Sequence, residues 1–325
     1  MWTLYKKELR GFFSSITGYL IIGVFLALTG LMLWVLKSDF NIMDYGYAGL
    51  DGLFLTGPFL YLFLIPAITM RSIAEERRGG TMEMLMTRPL SDWTIVWAKF
   101  LAAWTLVLIS LVPTLVAYFS VYALGDPVGN IDTGGVIGSY IGLLLLGGAF
   151  VAIGLFCSSL GSNQIVSFVL AALLCAVSYL GFESLYRMGL FGSGDLFVKS
   201  LGAAHHYESV SRGVVDTRDV LYFASVTALF LMATRMVLQS RMWGGWRKRK
   251  SLKRSHWLEM AATVLIVVSV NVIGHWLFLR FDLTSERRYT LSKPTKEMLK
   301  KIDEPVLFRV YLDGNMPADF KRLQN

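Results

Sequence analysis

The sequence predicts an all-α polytopic membrane protein with six spans and a seventh anchor span, followed by the start of an α/β domain. Three observations carry this prediction. Of 325 residues, 54% are hydrophobic and 17% charged, with a mean hydropathy of +0.53, and the apolar residues gather into blocks too long for a soluble core. The Lys and Arg residues behind the net charge of +8 sit beside those blocks, which is the positive-inside signature, so no nucleic-acid partner is expected. Past the last block the pattern turns to a short polar helix and then an alternating, β-rich run.

Met1 to Phe13 comes first. Trp2, Tyr5, Leu9, Phe12 and Phe13 share one helical face and Lys6, Lys7 and Arg10 lie off it, so it reads as an interfacial helix. It is no cleavable signal, because the apolar run after it is of spanning length and no small-residue cleavage site closes it. The first span, about Tyr19 to Leu36, covers roughly 27 Å. Span two, about Leu53 to Met70, carries Pro58 and Pro66, where kinks are expected. Span three runs from the Trp93 and Trp97 region to about Leu124, with Pro113 inside it. Span four, about Val136 to Phe156, holds Gly138, Gly142, Gly147, Gly148 and Gly154, small residues that let helices approach closely in lipid. Ser158 to Asn163 is a tight turn, span five follows from about Gln164 to Phe182, and Glu183 to Asp219 reads as an outer loop. Span six is about Val220 to Leu238. The basic run from Arg241 to Arg254 contains no acid and is best placed beside anionic lipid in the cytosol. Span seven, about Trp257 to Leu279, then crosses outward. A helix is expected from Pro294 to Ile302, starting near Ser292 or Lys293, and a strand from Val306 to Leu312.

The stretch between spans two and three, Arg71 to Pro89, is a polar elbow. Ile73 to Arg78 closes a helical turn, Arg77 and Arg78 suit its negative end, and Gly79-Gly80 supplies a left-handed stop. A second short helix follows, with Thr81 as N-cap, Glu83 in the first turn, and Met82, Leu85 and Met86 at i, i+3 and i+4 on one face. Pro89 ends it. Such a Met-Leu face suits a soluble partner's groove; the alternative is a connecting loop resting on lipid headgroups.

Glu75-Glu76-Arg77-Arg78-Gly79-Gly80-Thr81-Met82-Glu83, with Arg88-Pro89-Leu90-Ser91 and Lys99-Phe100-Leu101, resembles the segment between the second and third spans of ABC-2-type transporter permeases. The resemblance implies that this elbow is the coupling helix that docks on a cytosolic ABC ATPase subunit, with Glu75, Glu76, Gly79, Gly80, Thr81, Met82, Glu83, Leu85 and Met86 as coupling residues. A distant second match supports it. Ala203 to Asp216 resembles the family's His-rich or aromatic helix before the last span, which ends in Arg-Gly and then an Asp. After the seventh span, Leu283-Thr284, Arg288 to Ser292, Pro305-Val306, Val310 to Gly314 and Phe320 to Leu323 resemble the start of the gliding-motility-associated ABC transporter auxiliary protein, which implies a periplasmic domain. The expected organisation is then a permease over 1–245, a basic cytosolic linker over 246–256, an anchor span over 257–279 and an incomplete periplasmic domain over 280–325.

No G-x-x-x-x-G-K-[ST] is present, so the chain is expected to bind no cofactor and to draw on ATP through a partner subunit. No catalytic constellation argues for an enzyme. His205, His206 and Glu208 do not form a metal shell at helical spacing, and Cys157 and Cys175 read as small buried hydrophobes. The function expected is that of a permease subunit in the bacterial inner membrane, amino terminus inside and carboxyl end outside, paired with a second permease copy. It would couple ATP hydrolysis to export or to envelope movement such as gliding; a non-transporting anchor that passes force to periplasmic envelope proteins is the alternative.

Overall fold

The computed structural model describes the chain except residues 45, 88–89, 191, 242–248, 286, 302–306 and 308–325. Its described residues hold seven helices long and apolar enough to cross a membrane, and the fold is almost wholly helical.

Helix α1, Trp2–Phe13, lies along the bundle with Leu4 buried and Trp2 exposed. Span one is α2, Ile16–Gly30, extended by a π-helical turn, Leu31–Val35. Span two is α3, Asp51–Thr69, with Pro58 and Pro66 both inside one continuous helix. The ring of Pro58 leaves the Phe54 carbonyl without its helical donor, and the buried Tyr207 hydroxyl donates to that carbonyl at 2.7 Å. Two short helices follow, α4, Ala74–Arg78, and α5, Thr81–Met86.

Span three is α6, Asp92–Leu111, then a 3₁₀ turn at Val112–Thr114 around Pro113, then α7, Leu115–Leu124. The span is interrupted at this ring, whereas α3 runs unbroken through Pro58 and Pro66. Span four, α8, Thr133–Leu160, is 28 residues or about 42 Å long. It forms the axis of the bundle, packing against α3, α6, the later helices and most of the core. Close approach explains its glycines: a Cβ on Gly154 would lie 2.1 Å from Thr69 Oγ1.

Span five is α9, Gln164–Ala176, a π turn at Val177–Gly181, and α10, Phe182–Met188. The outer segment carries the expected helix as α12, Ala203–Ser211, and adds α11, Asp195–Ser200, and β1, Val214–Asp216. It is folded because α12 packs on α8, where Ser139 Oγ donates to the Ser211 carbonyl at 2.7 Å. Span six is α13, Thr217–Arg241, and span seven is α14, Arg249–Trp276. The latter lies at the edge, only 6% of its apolar window buried, held to α13 by Asn271 Nδ2 donating to Ser225 Oγ at 2.7 Å and by Arg235 with Glu259 at 3.4 Å. Half of the basic run, 242–248, and all but residue 307 of the strand expected at 306–312 lie outside the described residues.

Beyond span seven, β2, Arg280–Asp282, pairs antiparallel with β1, setting Val214 opposite Asp282 and Asp216 opposite Arg280. Asp216 is buried and takes both Arg280 Nε and Nη2 at 2.9 Å, with Arg218 at 3.0 Å. Gly213 makes the ribbon possible: its φ is +85°, and a Cβ there would stand 2.7 Å from Gly135 Cα. Helix α15, Lys293–Lys300, follows, and Ser292 caps it by accepting from Thr295 N.

Candidate functional site: the elbow and its anchorage

The elbow begins where span two ends. Ser158, near the end of α8, accepts hydrogen bonds from Ile73 N and Ala74 N at 3.1 Å each and donates to the Met70 carbonyl at 3.1 Å. One hydroxyl thus caps the start of α4 and fixes the chain entering it. At the other end Arg77 Nη1 donates to the Ser159 carbonyl and, at 3.5 Å, to the Gly161 carbonyl. A cation among the last carbonyls of α8 suits the negative end of that helix.

The remaining side is held by charge. Lys99, in α6, is 2% exposed; its Nζ donates to the Ser72 carbonyl at 2.6 Å and lies 2.8 Å from Glu76 Oε2 and 3.2 Å from Glu8 Oε1. At 2.8 Å the Lys99 ammonium and the Glu76 carboxylate form a close ion pair. Lys7 closes the cluster from α1, 3.1 Å from Glu76 and 3.4 Å from Glu8. Burial works against the charge on Lys7, but Glu8 and Glu76 outweigh it and hold its ammonium pKa above the ordinary lysine value. Two cations and two carboxylates, from α1, α4 and α6, therefore meet in one neutral quartet.

The two short helices meet at Gly80, whose φ of +69° is the expected left-handed residue, while Gly79 is right-handed. Gly80 itself occupies the cap position of α5, so Thr81 is not the N-cap. Its hydroxyl turns back and donates to the Glu76 carbonyl at 3.2 Å. Glu75, Gly79, Gly80, Thr81 and Glu83 are exposed. Met82 is 5% exposed and belongs to the protein's own core, Leu85 is half-buried against it, and Met84 stands 71% exposed. The expected apolar face is thus turned inward at Met82, and the open side of α5 carries Glu83 and Met84. The Met86 side chain and the Arg88-Pro89 stop lie outside the described residues. Sequence reasoning missed Glu8, Ser72 and Ser158, and it quoted Lys99 within the family motif without giving it a role; a lone lysine well inside an apolar span was the available signal for that role.

His206 is occupied by the fold. Its Nδ1 is 2.7 Å from Asp219 Oδ1, its Nε2 is 2.9 Å from the Ser200 carbonyl, and its ring stacks on Tyr222 at 4.0 Å. It thus ties α11, α12 and α13 together. His205 is exposed beside it.

The sequence was compared with known families and proteins. Residues 285–325 match a domain of unknown function, DUF7088, and no curated protein matches the chain. Residues 2–283 match the ABC-2 family transporter protein description. That match passes through the basic linker and includes the seventh span. With most of its length covered, from the interfacial helix to the strand after span seven, the chain belongs to the ABC-2 family of transporter proteins.

Proposed function

We propose that this permease subunit is driven by a separate cytosolic ABC ATPase that pushes on the elbow formed by α4 and α5, and that two permease copies work together. The observation that carries the reading is the anchorage of α4: Ser158 and Arg77 fasten it to α8, and the Lys7, Glu8, Glu76 and Lys99 quartet fastens it to α1 and α6. A push on such an elbow moves spans three and four together with the interfacial helix. Among the elbow residues, Glu75 and Glu83 with Met84 offer the surface for the ATPase; Glu76, Gly79, Gly80, Thr81, Met82 and Leu85 set its shape and aim, and Met86 completes the helix.

The test is co-purification of the ATPase with wild type, Met84→Asp and Val128→Asp, the last an exposed residue in the loop at the far end of span three. Met84→Asp is expected to lose the ATPase while the chain still inserts, since a buried Met contributes about 1.5–3 kcal/mol. Wild-type retention of the ATPase by Met84→Asp would show that α5 is only a connection.

A second reading has its own support. The bidentate Asp216–Arg280 pair and the β1–β2 ribbon join the start of the tail to the segment before span six, which suits transmission of force to periplasmic envelope proteins, gliding among the uses, without export. ATP-dependent movement of lipid or polymer by the complex in liposomes decides between export and force transmission.

A further inference from the structure

A cavity of about 280 Å³ opens between α1, the start of α2 and α4. Outside the quartet next door its lining carries one cation, Arg71, and one carboxylate, Glu75. Arg71 lines it, donates from Nη1 to Thr17 Oγ1 at 2.8 Å, and has a buried Nε that meets no acceptor. Lys7, Glu8 and Glu76 also line it but are already paired with one another and with Lys99. Glu75 is exposed at its edge, where water screens its charge. What remains inside is a guanidinium with a free donor, two hydroxyls from Ser15 and Thr17, and an apolar wall of Phe12, Ile21 and Ala67.

We infer that this cavity binds a phosphate group, with Arg71 as its cation and the Thr17 hydroxyl beside it. A buried donor without an acceptor favours an incoming one, and a planar guanidinium suits a phosphate's oxygens. The cavity lies just beyond the last turn of span two, next to the strongly exposed apolar residues Ile16, Tyr19 and Leu20, so it faces the depth at which lipid headgroups sit. Its volume is near the lower end of small-molecule sites, enough for a headgroup phosphate while acyl chains run outside along α2. An anionic lipid and a free phosphate share this chemistry, and the experiment separates them. The inference requires no ATPase and is independent of the coupling reading.

The full chain is placed in dodecyl maltoside micelles, which carry no phosphate, in micelles that also contain phosphatidylglycerol, and in micelles with inorganic phosphate added. Amide exchange is followed over residues 11–21 and 71–76. Protection gained with phosphatidylglycerol alone supports the headgroup; protection gained with inorganic phosphate supports the free anion. No gain in either condition overturns the site. Arg71→Gln is expected to weaken the response about tenfold, as for loss of one charge-assisted hydrogen bond, and a full response would overturn the role of Arg71. Should Arg71→Gln disturb exchange elsewhere, Ile21→Trp, which fills the cavity and leaves every charge in place, must abolish the gain; a persistent gain in that variant also overturns the site.

Discussion

Replacing Lys99 by Met removes the cation that sits between Glu8 and Glu76 while keeping an unbranched apolar stem. Lys99 is 2% exposed, its ammonium lies 2.8 Å and 3.2 Å from the two carboxylates, and it also donates to the Ser72 carbonyl at 2.6 Å. Breaking a buried pair by deleting one partner costs about 3–5 kcal/mol, chiefly because the other charge stays buried. Lys7 still faces both carboxylates from the exposed side, which places the expected cost near the lower figure. At about 1.4 kcal/mol per tenfold, opening of the elbow should become roughly a hundredfold more frequent. Amide exchange of residues 73–80 in nanodiscs reads this opening directly. Adding Glu76→Leu to Lys99→Met should restore protection in part, because it removes the stranded charge and leaves an apolar pair. Unchanged exchange in Lys99→Met, or a double variant worse than the single, would refute the view that the quartet clamps the elbow.

Three further outcomes are expected. Gly154→Ala puts a Cβ 2.1 Å from Thr69 Oγ1 and should cost about 1–3 kcal/mol by overpacking, measurable as a lower melting temperature in detergent. The tail seam should loosen only in strong acid. Burial raises the carboxyl pKa values of Asp132, Asp216 and Asp282, but hydrogen bonds from Gly135 and Ser285, from Arg280 and Arg218, and from Thr284 and Thr290 outweigh it and hold them below the ordinary 3.8. A carboxyl lowered on folding stabilises above its unfolded value and loses that stabilisation as pH falls through the folded one, so protection relative to the intrinsic exchange rate at 214–216 and 280–285 should fall below pH 3.8 and not above it, and Asp216→Asn should flatten the response. For orientation, a Cys at position 251 should be labelled from the cytosol and one at position 292 from outside, since both native cysteines are buried; equal labelling of the two from outside would defeat the proposed topology.

The spans were legible because hydrocarbon thickness demands long apolar runs, and α9 begins at Gln164 as expected. Gly80 was legible as well, because a left-handed turn between two helices favours glycine. Thr81 was misplaced by one position: the helix restarts directly after Gly80, which leaves the threonine hydroxyl inside the first turn. Met82 shows a different limit. Helical spacing identifies an apolar face but not what covers it, and here the protein's own core does so. The pairing of Lys99 with Glu8 and Glu76 joins residues far apart in sequence, and a single chain carries no local trace of it. The β1–β2 ribbon was hidden for the same reason: strands of three residues 64 positions apart at Asp216 and Arg280 have no periodicity to detect.

That ribbon determines how the tail leaves the membrane surface. A flexible tether would set only a distance, and the mass beyond it would diffuse within a sphere. Two antiparallel strands, with Thr217 N donating to the Leu279 carbonyl and Leu283 N to the Gly213 carbonyl, both at 3.0 Å, set a direction as well. Tilting α13 turns residues 280–283 through the same angle. Residues 280–283 are therefore aimed by α13 and not merely tied to it.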